Sequence, residues 1–508
     1  MNYVERRLSG AKVLGEMTIS DLVFRSLRYL RAAFAVLLGL ITIGALSALM
    51  QGGIAYLAAY LLIVIGLLPP IGSWIYSVKK HIPLVPSLAL VNLVWNALPL
   101  AFGNPQLAGY SDEEILRASG EILVFGVTLT TIYLVFSNTP SHRPKEYLGF
   151  ALSRVRSRRV VLGSALVALA ACVLMEYFLM TGIIGQLIAR LPPGTFSAIR
   201  ILQDAVKLAS GFVLGYAIGA GYITGAKKVF VCAGWISLFI MALASLLISS
   251  AAGLTIAIAA GLYLGSARIP WKYILAVMLV VSFFNYSKHE MRKKYWGRVI
   301  GAVHLHQMPA YFSEWSLLTV EKVLGDEVTS RTDKTQGLLE RVSTLQMLLY
   351  VQRMVHVHQV PTVNGATYTI IPKLLIPRIL WPEKPRTHEG QVLLNTHFRR
   401  QKEAETWRTY IAWGLIAESY GNFGSMLGPL LLGLVMGGLM TTVEVWTGNY
   451  PLLSIRGSMA AALLLETLVS YEMSAAVFVT ASSQLLVILG VASLFLAGRH
   501  QLAARTRA

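Results

Sequence analysis

The chain has 508 residues, of which 55% are hydrophobic and only 14% charged. A soluble core of that size needs more charge on its surface, so the composition excludes an ordinary soluble protein and points to the membrane class. The formal net charge of +19 would suggest nucleic acid in a soluble protein, but here the basic residues sort by side of a membrane, which removes that reading.

The amino-terminal segment mixes Arg6, Arg7, Lys12, Arg25, Arg28 and Arg31 with Glu5, Glu16 and Asp21 and has no small-residue cleavage pattern. Its first apolar run is therefore expected to be a retained span and not a signal peptide. A run of about 20 apolar residues crosses a hydrocarbon core roughly 30 Å thick. On that measure the chain carries about twelve spans, near 32–50, 54–76, 83–102, 120–137, 160–182, 205–224, 229–249, 251–267, 271–286, 413–440, 452–470 and 474–497. Cys172 and Cys232 both fall within them, so neither a disulfide framework nor a cysteine-rich metal site is available.

With the amino terminus inside, the inner connections carry 22 Lys/Arg and the short outer ones four, namely Arg117, Arg190, Arg200 and Lys207. That asymmetry puts both termini in the cytoplasm and the long connection after the ninth span outside, in the periplasm of a Gram-negative cell. The basic run Lys288, Arg292, Lys293, Lys294 and Arg298 opens this connection, where a long loop escapes the charge rule. The resulting organisation is an all-α polytopic membrane protein: a transmembrane region over 1–286, a large outer loop over 287–410 and a second transmembrane region over 411–508. The acids in or beside spans, Glu176, Asp204 and Glu466, make no cluster, and Glu176 and Glu466 read as buried, hydrogen-bonded groups.

The loop holds 18 of the 44 Lys/Arg and seven of the ten His, with only 11 acidic residues. Pro309 to Tyr350 reads as helical, because Leu338, Leu339, Val342, Leu345, Leu348 and Leu349 recur at helical spacing. From Pro361 to Gln391 the prolines predict irregular backbone, placed against the membrane surface. Within it, Ile376-Pro377-Arg378-Ile379-Leu380-Trp381-Pro382-Glu383-Lys384-Pro385 holds two cations on a backbone that three prolines stiffen, beside an indole suited to headgroup depth. Such guanidinium and ammonium groups suit phosphates at a lipid boundary; the bland alternative is a structural turn. Where the loop re-enters, Ala417-Glu418-Ser419-Tyr420-Gly421-Asn422-Phe423-Gly424 places Glu418 near the outer surface, to pair with a cation or to take a proton from a sugar hydroxyl. Gly424 and Gly428, then Gly433 and Gly437, have the spacing of close helix packing.

The pairs His304-x-His306 and His356-x-His358 have the residue type of metal ligands. No acid or cysteine completes a set, and His289-Glu290 meets Lys293 where a zinc protease needs histidine, so no metal site is assigned. The chain also has no Asp-x-Asp pair and no phosphate-binding loop, and the run Gly215, Gly219, Gly221, Gly225 lacks dinucleotide spacing.

The succession of the basic patch, Glu340-Arg341-x-Ser343, Pro361-x-x-x-Gly365-x-Thr367-Tyr368, Ile376-Pro377-Arg378 through Pro385, and Glu418-x-Tyr420-x-Asn422-Phe423-Gly424 resembles the Wzy-type oligosaccharide repeat-unit (O-antigen) polymerases. The likeness covers roughly Lys288 to Gly437, and Ile82-Pro83-Leu84-x-Pro86 is similar to an earlier segment of such proteins. It implies a glycosyltransferase of the C-type architecture in the bacterial inner membrane, without cofactor or metal. Such an enzyme would move a growing glycan from undecaprenyl diphosphate to a lipid-linked repeat unit on the periplasmic face, with membrane lipid and a polysaccharide chain-length regulator as partners. Arg378, Lys384, Arg341 and Arg292, with Tyr420, would hold the diphosphate, and Glu418 or a loop histidine, His358 or His388, would orient or deprotonate the acceptor hydroxyl. A polysaccharide ligase using the same donor, and a lipid-linked sugar flippase or transporter, are the competing expectations.

Overall fold

The computed structural model describes residues 19–77, 81–137, 155–181, 195–246, 248–266, 268–295, 305–324, 344–378, 380–407, 411–448, 455–469 and 473–496. Among them the chain is all-helical, with no strand. It opens with α1 (Ile19–Tyr76), α2 (Leu84–Ala101) and α3 (Asp112–Phe136). A middle stretch forms α4 (Val155–Met180), α5 (Thr195–Gly219), α6 (Gly225–Ala244), α7 (Ile248–Ser266), α8 (Trp271–Tyr286), α9 (Lys288–Tyr295) and α10 (Met308–Leu324). The remainder forms α11 (Leu345–His356), α12 (Ala366–Thr369), α13 (Ile371–Leu375), α14 (Glu389–His397), α15 (Leu415–Phe423), α16 (Leu427–Thr447), α17 (Ile455–Val469) and α18 (Ala475–Leu496).

Seven helical stretches among the described residues are long and apolar enough to cross a membrane: Ser26–Tyr76, Val160–Met180, Ile199–Gly219, and the whole of α2, α3, α6 and α16. Shorter apolar helices occupy Ser250–Ser266, Trp271–Tyr286, Met459–Leu468 and Ala475–Val487. The first stretch would be about 75 Å long if straight, more than twice a hydrocarbon core. It breaks at Gly52–Gly53, where Gly53 takes φ +66, a left-handed value open to glycine. Beyond the break the helix turns back, so that the Tyr60 hydroxyl donates to the Ile41 carbonyl at 3.2 Å. The spans predicted at 32–50 and 54–76 are thus the two arms of one helical hairpin.

Contacts divide the chain differently from the three-part sequence organisation. An inserted unit holds Ala151–Arg331, and a terminal unit joins Gly15–Phe150 to Thr332–Ala508. The outer loop is shared: α9 and α10 pack in the inserted unit, whereas α11 to α14 pack in the terminal one.

In the terminal unit the early helices close on the late ones. A Cβ on Gly126 of α3 would lie 2.5 Å from the Gly66 carbonyl oxygen of α1, and one on Gly433 of α16 would lie 2.9 Å from that of Phe125. Gly437 packs equally closely on Ile132, so the small residues of α16 serve as its contact face, as the sequence spacing implied. Helix α11 joins the same core through Leu345, Leu348 and Leu349. The other apolar positions predicted for that helix, Leu338, Leu339 and Val342, lie outside the described residues. The predicted irregular stretch from Pro361 holds only the four- and five-residue helices α12 and α13 before α14 begins.

In the inserted unit α5 and α7 meet through glycines: a Cβ on Gly215 would sit 2.7 Å from the Ile258 carbonyl oxygen and one on Gly219 2.6 Å from that of Leu262. One sequence expectation fails here. Glu176 and Asp204 do cluster, around Lys207, whose side chain is only 4% exposed. Lys207 Nζ lies 2.6 Å from Asp204, 3.4 Å from Glu176 and 3.1 Å from the Ser250 hydroxyl, and Arg200 reaches Glu176 at 3.2 Å. Asp204 and Lys207 are one turn apart on α5, while Glu176 comes from α4, a convergence that sequence distance conceals. The basic run of α9 is likewise engaged: Lys294 pairs with Glu314, Glu290 with Lys322 at 2.8 Å, and Arg292 donates to the Leu246 carbonyl at 2.9 Å.

Candidate functional site

The loop-return segment was expected to be one span over 413–440, and the structure corrects this. It forms a nine-residue helix, α15, then a turn, then α16. Gly424 at φ +80 and Met426 at φ +57 leave the right-handed helical region and end α15. Gly428 then lets α16 start against α15, since a Cβ there would lie 2.6 Å from the Ser419 carbonyl carbon. Nine residues rise about 14 Å, too short to cross a bilayer, and every residue of α15 except Phe423 is buried.

Glu418 and Asn422, four residues apart, share one face of α15. The Asn422 amide donates to the Thr367 hydroxyl of α12 at 2.8 Å and to the Glu418 carbonyl at 2.8 Å. Glu418 Oε2 accepts the Ala475 backbone N–H at 2.5 Å, at the start of α18. Its Oε1 and the Ser474 hydroxyl find no partner among the described residues. Burial raises the Glu418 pKa to about 7, against the opposing hydrogen bond from the Ala475 N–H.

This arrangement recurs twice in the terminal unit. Glu121 of α3, 3% exposed, accepts from the Ser425 hydroxyl and from the Met426 N–H at 2.7 Å, where α16 begins. Glu444 of α16, fully buried, accepts the Val85 N–H at 2.6 Å, in the first turn of α2. Each carboxylate satisfies orphan donors, and complements the positive end, of a helix other than its own.

Tyr420 points the other way on α15. It is wholly buried, and its hydroxyl shares a 2.8 Å hydrogen bond with Nε2 of His356. Burial first, and then the charge of Glu121, push its pKa up to about 12, so the phenol stays protonated. His356 itself is exposed and ends α11. Two residues on, His358 is exposed too, beside Gln359 at φ +53. Helix α11 is held by Arg353, which clamps Glu114 of α3 through Nε at 2.7 Å and a second nitrogen at 2.6 Å, donates to the Gly109 carbonyl at 2.7 Å and covers the Tyr110 ring at 4.0 Å.

The proline-rich turn is braced by its own cations. Arg378 donates to the carbonyls of Pro382 at 2.9 Å, Lys384 at 3.2 Å and Pro385 at 3.3 Å. Lys384 Nζ reaches those of Leu374 at 2.9 Å and Ile376 at 2.7 Å. No carboxylate pairs with either cation among the described residues. Burial, then the positive charge of Arg378, lower the pKa of Lys384. Apolar side chains tip the turn, with Leu380 76% and Leu375 50% exposed.

Arg378, Lys384, Glu418, Tyr420 and His358 therefore belong to one unit, while Arg292 belongs to the other and Arg341 lies outside the described residues. His388 bonds through Nδ1 to Gln391 at 2.8 Å. The sequence offered His356 only as half of a histidine pair and Thr367 only within a motif, and Arg353, Glu121 and Glu444 did not stand out at all. Two signals were available: Ser111-x-x-Glu114 is a capping box that marks the anchored start of α3, and a carboxylate inside an apolar run, as at Glu121 and Glu444, needs a partner. No family model, curated protein or solved structure matches the chain.

Proposed function

We propose that this chain is a metal-independent membrane glycosyltransferase of about twelve spans and C-type architecture. In this reading it polymerises undecaprenyl diphosphate-linked oligosaccharide repeat units on the outer face of a bacterial inner membrane. The observation that carries the reading is the pair Arg378 and Lys384. They are fixed by backbone carbonyls on a proline turn, close enough for one charge to oppose the other, and paired with no carboxylate among the described residues. Two cations held together without a counter-charge favour a dianion, and the exposed Leu375 and Leu380 favour a turn seated in the lipid boundary, where a lipid diphosphate presents its charge.

In the reaction, the bond from the anomeric carbon of the growing glycan to the diphosphate oxygen breaks and its electron pair stays on the diphosphate. The acceptor hydroxyl oxygen bonds to that carbon from the opposite face, and its proton passes to a base. Arg378 and Lys384 offset the charge that grows on the diphosphate. His356 is the better-held base of the His356-x-His358 pair, since Tyr420 orients its ring. Glu418, engaged with the start of α18, acts by positioning.

Purified protein in detergent is expected to convert lipid-linked repeat units into a ladder of longer glycans without added metal. Arg378→Gln, which also removes a brace of the turn, should lower kcat at least tenfold in protein that still folds in detergent; wild-type turnover in that variant would remove Arg378 from the mechanism. Transfer of finished chains to another acceptor, without elongation, would establish the ligase. One observation favours a transporter instead: the buried Lys207, with the partly exposed Glu176, Asp204 and Arg200 around it, is the kind of polar group that marks transport pathways in membranes. Substrate movement without glycan extension, abolished by Lys207→Met, would establish that reading.

A further inference from the structure

Helix α8 is unusual among the apolar helices of the inserted unit, because none of its 16 residues is buried. It stands off α7, and between them runs an apolar groove of about 530 Å³, lined by Ala252, Ile256, Ala259 and Tyr263 of α7 and by Ile274 and Met278 of α8. The volume is that of a small-molecule site, and its length along α7 is about 16 Å. This face of α7 is distinct from the one that meets α5, because Gly261 and Gly265 turn toward α5. In hydrocarbon an unfilled gap forfeits dispersion contacts on both walls, so such a groove is occupied.

The turn that closes one end of the groove says by what. It carries Arg268, Trp271 and Lys272, all exposed, with Trp271 64% accessible. No acidic residue occurs anywhere in 250–286, and among the described residues no carboxylate pairs with Arg268 or Lys272. An indole and two cations at the end of apolar helices are the marks of headgroup depth. The charge asymmetry of the connections counts this turn among the cytoplasmic ones, which face the anionic leaflet.

We infer that the groove between α7 and α8 holds one acyl chain of an anionic glycerophospholipid, whose headgroup phosphate sits between Arg268 and Lys272. This site is independent of the glycosyltransferase reading.

The test is native mass spectrometry of the full chain released from micelles containing phosphatidylglycerol or phosphatidylcholine at equal concentration. The expected result is one retained phosphatidylglycerol, at least fivefold preferred over phosphatidylcholine. R268Q with K272Q lies on an exposed turn and leaves the helices intact; it is expected to weaken retention about tenfold or more. Ala259→Phe fills the groove and is expected to abolish retention. Equal retention of the two lipids, or undiminished retention by either variant, would overturn the inference. Displacement of phosphatidylglycerol by an equimolar polyprenyl phosphate would also overturn it, by assigning the groove to an isoprenoid tail.

Discussion

Glu418 shows what a single side chain does at this site. Its carboxylate joins α15 to the start of α18 from a position with no solvent access, and burial raises its pKa from the ordinary carboxylate value to about 7. Between those two values the folded state binds a proton that the unfolded state has released. Stability is therefore greatest below the ordinary carboxylate pKa and falls as pH rises to about 7. Glu418→Gln keeps an oxygen for the Ala475 N–H and is expected to flatten that pH dependence in detergent thermal denaturation. Glu418→Ala leaves the N–H orphaned in a buried site and should cost about 1–3 kcal/mol. If the Gln variant instead loses all glycan extension while keeping its thermal midpoint, Glu418 handles a proton in the reaction and is not a positioning residue.

The element that matters most is the break between α15 and α16. A side chain at Gly428 meets the Ser419 backbone, not the movable end of another side chain, so the helices cannot relax around it. Gly428→Val is expected to destabilise the protein by about 1–3 kcal/mol and to separate Glu418 from Ala475, whereas Ser425→Ala at the exposed turn loses only one bond to Glu121. Equal melting temperatures for these two variants would refute the tight hairpin. This break also marks the limit of what the sequence revealed. Hydropathy located the arms of α1 and the runs that became α2 to α8, because apolar length alone decides those. It could not divide 413–440, since a short buried helix and a span have the same composition. Arg378 and Lys384 were legible as a rigid cationic turn, but not as its own brace, because their partners are carbonyls without sequence identity. Lys207 with Glu176, and Arg353 with Glu114, join residues 31 and 239 positions apart, which no local pattern reports.

At the scale of the whole molecule, the charge count predicts which side each connection faces, and labelling tests that prediction. Cys172 is buried, so a chain with Cys232→Ser offers a low background. A cysteine at the exposed Ala404 should react with a membrane-impermeant maleimide in cells whose inner membrane is intact, and one at the exposed Lys227 only after that membrane is opened. The reverse pattern would invert the orientation and move the candidate site to the cytoplasm.

The interleaved construction of the terminal unit has a consequence for how the protein is made. The face of α3 that carries Glu121 is completed only by α16, and roughly 290 residues separate the two, so at about 5–20 residues per second the ribosome needs some 15–60 s to supply the partner. Through that interval a carboxylate destined for a helix terminus waits without it. A chain truncated before residue 427 is therefore expected to leave Glu121 without its late partners and to be degraded faster than the full chain, which pulse-chase labelling would read.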